Sequence, residues 1–208
     1  LLMKRFQLIT EADARVLDYG SAVVLVAGGH VTPLAHDTLK ARRIAVIREG
    51  TDVDAEGLAP PSKIRTVAIA GDHTGVALKK ALVQHLRGRG IAVHDLGTGT
   101  SEPVDYPDTA ASVAIQVSRG EAEAGIVIDG SGLGSTIAAN KVNGIRAAMC
   151  VNQTLARYAR QHNGANVLAL GSTLVTADDA VTIVDAFIDT SMREPRYMRR
   201  LAKIRDLE

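Results

Sequence analysis

From Ile64 onward the chain alternates short apolar runs with longer stretches in which apolar residues recur at helical spacing. TVAIAG (66–71), IAVHDLG (91–97), the IVI run at 126–128, IRAAMC (145–150) and VLALG (167–171) read as five strands. Between them GVALKKALVQHLRGRG is a helix closed by Gly90. A second helix opens at Pro107 and runs to about residue 118, and two more cover 153–161 and about 177–189. Strands that alternate with helices predict an α/β fold whose mostly parallel sheet carries helices on both faces. The tail REPRYMRRLAKIRDLE reads as a basic helix.

Residues 1–50 have a separate pattern. Phe6 to Thr10 is extended, and TEADARVL is a short helix with Thr10 as N-cap and Asp13 at the capping-box position. AVVLVAGG is a strand that ends at Gly28 and Gly29, 32–42 a helix with Pro33 in its first turn, and IAVI at 44–47 a further strand. This predicts a small α+β appendage. His30 and His36 are expected in solvent. Glu49 to Ser62, polar and carrying Pro60 and Pro61, reads as a linker, so the domains expected are 1–50, a linker over 51–63, and 64–208.

AGIVIDGSGLGSTIAANK, residues 124–141, organises the larger part. A buried strand ends at Asp129 and runs directly into Gly130, Gly132 and Gly134, with a helix expected to start near Ser135. Free backbone N–H groups at a helix start suit an anion. In open α/β sheets ligands bind beyond the carboxyl ends of the strands, so Asp129 is expected to face whatever those amides hold.

Charge adds little: 24 Lys and Arg against 23 Asp and Glu leave +1, with no electrostatic reason to expect nucleic acid or an anionic membrane as partner. The single cysteine, Cys150, excludes an internal disulfide and a cysteine-based zinc site, fits a reducing cytoplasm, and is expected to be a buried, inert thiol. No apolar run approaches the roughly 18 residues of a membrane span, and LLMKRFQLITEAD lacks the long apolar region of a signal peptide. A soluble, cytoplasmic protein is expected.

Polar residues gather where strands end: Asp72 and His73 after the first, Asp105 and Tyr106 after the second, Asp129 after the third, with His162 and Asn163 before VLALG. Such a set suits acid–base work on a small polar ligand. Arg196 and Arg200, four apart, share a helix side and suit a phosphate.

Taken in order, GDHTGVALKKAL, VDYPD, DGSGLGSTIAANKVNGIRAA, ARQHNGANVLALGS and PRYMRR resemble the successive motifs of the type B ribose-5-phosphate isomerase and galactose-6-phosphate isomerase family, over about residues 64–205. The resemblance implies a Rossmann-like three-layer sandwich, a homodimer or homotetramer with sites shared between subunits, and metal-free aldose–ketose isomerisation of a sugar phosphate, most simply ribose 5-phosphate to ribulose 5-phosphate. No cofactor is implied. By the same resemblance Asp72 and His162 assist ring opening and handle hydroxyl protons, and Ser131 stands at a ring-opening threonine. Tyr106 and Asn163 contact the sugar; His73, Arg196 and Arg200 hold the phosphate. The amides of Gly130 to Gly134 stabilise the enediolate oxygen.

Many family members place a cysteine, the enediol base, where this chain has Asp129, and another branch a glutamate where it has Ser135. Asp129 is then the expected base, on the condition that a dry site raises its pKa. The A subunit of galactose-6-phosphate isomerase has a similar VID stretch and works beside a cysteine-bearing B subunit. Thr173 replaces a phosphate-binding arginine and Tyr197 a histidine. These departures keep two alternatives open: a tetrulose or hexose phosphate as substrate, or a silent subunit completed by a cysteine-bearing paralogue. A nucleotide-binding module fits worse, because IRAAMC ends in Cys150 where an acid should bind a ribose. LITEADARVL with HVTPLAHDTLKARRIAVI resembles the leading segment of the ethanolamine-utilisation cobalamin adenosyltransferase, which implies a bacterial microcompartment shell or cargo partner; a plain structural appendage is the other reading.

Overall fold

The computed structural model describes residues 3–48, 58–192 and 195–208. Most of the expected linker and the side chain of Arg196 lie outside the described residues. The chain divides into two units, one of Leu1–Leu58 with Met198–Glu208 and one of Ala59–Tyr197. Residues 198–208, which the sequence pattern groups with 64–197, thus cluster with the amino-terminal unit.

In the smaller unit β1 (Arg5–Ile9), α1 (Glu11–Val16), β2 (Ala22–Val31), α2 (Pro33–Ala41) and β3 (Ala45–Arg48) alternate, and the sheet order β1-β2-β3 is parallel throughout. The segment expected as an α+β appendage is therefore a strand–helix repeat around its own core of Ile9, Leu17, Val23, Leu25 and Leu39. Thr10 and Asp13 close the capping box as expected. One boundary differs. The strand expected to stop at Gly28 continues to Val31, because Gly28 takes φ +73° and absorbs a register shift against β1. His30 and His36 are exposed. A cleft of 590 Å³ lined in part by Leu39, Lys40, Arg43 and Ile44 holds none of the expected site residues.

In the larger unit the elements are β4 (Thr66–Gly71), a 3-10 turn (His73–Gly75), α3 (Val76–Gly88), β5 (Ala92–Asp95), α4 (Tyr106–Ser118), β6 (Ala124–Asp129), α5 (Leu133–Ala139), β7 (Ala147–Met149), α6 (Gln153–Asn163), β8 (Val167–Gly171) and α7 (Ala177–Asp189). A last helix, α8 (Pro195–Arg205), begins in this unit and ends in the smaller one. The five strands pair in parallel in the order β5-β4-β6-β8-β7. The chain leaves β4 for β5 and then returns past β4 to β6, so the carboxyl ends of β4 and β6 form a topological switch point.

Alternation along each strand separates two cores. Val67, Ile69, Ile126, Ile128, Leu168 and Leu170 pack with α3 and α7 residues such as Leu82 and Phe187. Ala68, Ala70, Val127 and Ala169 face α4 and α5 through Val113, Ala114 and Ala139. Small side chains on that second face let its helices approach closely. Cys150 is buried and its thiol is pushed up to about 11 by desolvation, which leaves it inert at neutral pH.

Arg160 on α6 is fully buried and has no carboxylate partner among the described residues. Its guanidinium donates to the carbonyls of Thr190 at 3.2 Å, Ala165 at 2.9 Å and Pro61 at 3.0 Å, and lies 5.1 Å from the centre of the Phe187 ring. Burial is the main cause that lowers its pKa to about 10, so it remains charged.

Candidate active site

Three strand ends build the site. β4 delivers Asp72, His73 and Thr74; β6 delivers Asp129 and the glycine turn; β8 delivers Ser172 and Thr173. Tyr106, the first residue of α4, completes it from the side.

Asp129 is 4% exposed and its carboxylate is itself the anion held by the turn. Oδ1 accepts from Ser131 N at 2.7 Å and from Gly132 N, and Oδ2 from Ser135 N at 2.9 Å. Gly132 makes this possible. It sits at φ +77°, and a Cβ there would stand 3.0 Å from the Leu170 carbonyl carbon and from Met149 Cγ. Burial works against the charge of Asp129, but the Ser135 side chain and the three amides more than offset it, and the carboxyl is held below its ordinary 3.8. The Ser135 hydroxyl is fully buried beside this carboxylate and has no hydrogen-bond partner among the described residues.

The condition set on Asp129 as base is not met: its pKa is lowered, not raised, because donors outweigh desolvation. The expectation that every amide of the turn serves a ligand is corrected. The amides of Ser131 and Gly132 are occupied by Asp129, and that of Leu133 by Ser131 Oγ at 3.3 Å. Among the described residues only Gly130 and Gly134 in this turn keep amides with no acceptor in the protein.

The ring of Tyr106 lies over Gly134, where a Cβ would fall 2.6 Å from two ring carbons. Gly134 is thus the floor under Tyr106, and Gly134→Ala is expected to push the ring aside and raise KM about tenfold or more while unfolding by urea changes little. Steady-state kinetics beside a urea titration checks this.

Asp72 is 6% exposed. Its Oδ1 accepts from Thr74 N at 2.8 Å and Thr74 Oγ1 at 2.6 Å, so it caps the 3-10 turn while Oδ2 has no partner among the described residues. His73 Nδ1 accepts from Val104 N at 3.4 Å, which leaves Nε2 as the donor toward a ligand. Ser131 is half-buried.

His162 and Asn163 are not brought to this edge. α6 runs back from β7 and ends before β8 begins, so both stand at the amino edge of the sheet, about 13 Å of strand away. There His162 stacks between Tyr158 at 4.7 Å and Tyr197 at 4.8 Å. Arg200 is exposed on the part of α8 that belongs to the smaller unit, and the Arg196 side chain is outside the described residues. Thr74 and Ser172 are participants that the motif reading passes over. Ser172 Oγ donates to Thr74 Oγ1 at 3.3 Å, and Thr173 Oγ1 to the Gly130 carbonyl at 2.6 Å. Among the described residues no group of three or more His, Cys, Asp or Glu is placed to hold a metal ion, and no helix is long and apolar enough to cross a membrane.

Residues 67–204 match the family model described as Ribose/Galactose Isomerase. The chain belongs to that family. Ribose-5-phosphate isomerase B of Escherichia coli is 43% identical over 145 residues, 70% of this chain and 97% of that protein. The structure of ribose-5-phosphate isomerase B from Clostridium thermocellum superposes with a TM-score of 0.67 at 46% identity, over 68% of this chain and 96% of that one. That of the Mycoplasma genitalium enzyme, solved with bound ribulose-5-phosphate, gives 0.65 at 42%, over 67% and 93%. As a member of the ribose/galactose isomerase family the protein is a sugar-phosphate isomerase, and its α/β fold is that of these relatives. The matched region stops short of residues 1–66.

Proposed function

We propose that the protein interconverts ribose 5-phosphate and ribulose 5-phosphate through an enediolate formed beyond the carboxyl ends of β4 and β6. The observation that carries this is the convergence there of a free carboxylate oxygen on Asp72, a donor on His73, the Tyr106 ring and two open amides, in a chain 42% identical to an enzyme holding ribulose-5-phosphate. Asp72 handles the ring and hydroxyl protons, and the free ring nitrogen of His73 donates to the phosphate. The Gly130 and Gly134 amides receive the enediolate oxygen, replacing water with fixed donors. Asp129, at the cysteine's position, is the base. Its carboxylate accepts two amides on Oδ1 and one on Oδ2, so Oδ2 is the less occupied oxygen and the one assigned to the carbon-bound proton.

His162 and Asn163 stand at the wrong edge to serve their own subunit's site, which favours a homodimer or homotetramer in which a second copy supplies them. The unit containing residues 1–50, with its own core and no share in the acid–base cluster, is read as an assembly segment, with a microcompartment component as its partner. A panel of ribose 5-phosphate, tetrulose phosphates and hexose 6-phosphates tests the substrate. The highest kcat/KM is expected on ribose 5-phosphate, and a clear preference for another sugar overturns it.

One observation favours a second reading, a subunit completed by a cysteine-bearing paralogue. A carboxyl held below 3.8 is a weak base for carbon acids. Turnover by the pure homo-oligomer rejects that reading.

A further inference from the structure

The ends of β4 and β8 are tied to each other across β6 by side chains 98 residues apart. Ser172 Oγ donates to Thr74 Oγ1 at 3.3 Å, and Thr74 Oγ1 donates onward to Asp72 Oδ1 at 2.6 Å. The Thr74 amide donates to the same oxygen at 2.8 Å. Oδ1 is therefore saturated from one side. Oδ2 has no partner among the described residues, yet it is not among the sealed buried polar atoms, so it is the face of this almost buried carboxylate that a ligand can reach. Two hydroxyls in series fix which oxygen of Asp72 works.

The geometry points to Thr74 and Ser172 as positioning residues for the ring-opening half of the reaction, acting through Asp72 and not on the enediol step; this rests on the isomerase reading given above. In a furanose phosphate, Asp72 Oδ2 takes the proton from the anomeric O1. The O1–H electron pair becomes the second C1–O1 bond, the C1–O4 bond breaks with its pair on O4, and Asp72 returns the proton to O4. The sum is an open-chain aldehyde and an unchanged enzyme. A carboxylate free to rotate about its side-chain torsions presents Oδ2 to O1 for only part of the time; the Thr74 donors remove that freedom.

Ribulose 5-phosphate supplies a control built on chemistry alone. Its O5 is esterified, so it cannot close a five-membered ring, and exchange of its C1 proton with solvent needs the enediol step but no ring opening. Thr74 is exposed, so Thr74→Val removes the hydroxyl without disturbing packing and keeps the backbone cap. In the full-length protein Thr74→Val is expected to lower kcat on ribose 5-phosphate about 10- to 100-fold, of the order a positioned acid–base group contributes. Deuterium exchange into C1 of ribulose 5-phosphate is expected to stay within about twofold of wild type, on the same ground that the lost hydroxyl serves only the ring proton. Thr74→Ser is expected to restore most of the loss, and Ser172→Ala to show a smaller loss of the same kind. Equal loss of both activities in Thr74→Val, or no loss in either, overturns the assignment. A wild-type protein that neither isomerises nor exchanges removes the underlying isomerase reading instead, and this inference with it.

Discussion

Asp129→Asn is expected to abolish isomerisation and to weaken the fold together. The carboxylate accepts three backbone N–H groups, and an amide presents an oxygen to only one side. Its NH2 then opposes either the Ser135 amide or the Ser131 and Gly132 pair, leaving buried donors unpaired at about 1–3 kcal/mol. Loss of a general base lowers turnover by about 10²–10⁴-fold. The two effects separate by pH. A carboxyl whose folded pKa lies below 3.8 stabilises the native state fully above the unfolded value and loses that contribution as pH falls through the folded one. The stability gap between wild type and Asp129→Asn, measured by urea titration, is therefore constant near neutrality and narrows below about pH 4. A gap that opens only on acidification contradicts the assignment.

Arg160→Met is expected to carry the largest stability loss that leaves the carboxyl-edge site intact. Methionine fills much of the volume, but the carbonyls of Thr190, Ala165 and Pro61 lose their donors and the contact with the Phe187 ring disappears. Removing a buried charge recovers some desolvation, so the sum is about 3 kcal/mol and not the total of three orphaned groups. For a chain of this size that lowers Tm by about 6–12 °C. Calorimetry reads it directly. A Tm within about 2 °C of wild type contradicts the role given to this residue.

Much of this architecture is written in local patterns. Alternation of Val67 and Ile69 with Ala68 and Ala70 already announces a strand buried on two unlike faces. Thr10 with Asp13 declares a helix start, and Pro107 another, because each satisfies or removes a backbone donor for which the helix has no acceptor. Gly28 and Gly29 mislead for the opposite reason: a glycine pair reads as a stop, yet a left-handed φ inside a strand only shifts its register.

The site is half legible. That Asp72, Tyr106 and Asp129 meet at one edge follows from the parallel order, and so does the removal of His162 to the other edge, since a crossover helix must return to where the next strand starts. What spacing cannot show is which anion fills a glycine-rich turn. The same three glycines that suit a bound ligand let the chain curl back on its own Asp129, and only the torsion at Gly132 decides between them. The Thr74 to Ser172 link is equally invisible, because nothing local connects residues so far apart in sequence.

Proton NMR of the pure protein with ribose 5-phosphate in deuterated water tests the central claim most directly. The account predicts ribulose 5-phosphate appearing with deuterium at C1, the mark of an enediolate that exchanges its proton with solvent at the carboxyl edge of the sheet. Neither product nor exchange contradicts it, and would mean that this protein on its own does not isomerise ribose 5-phosphate.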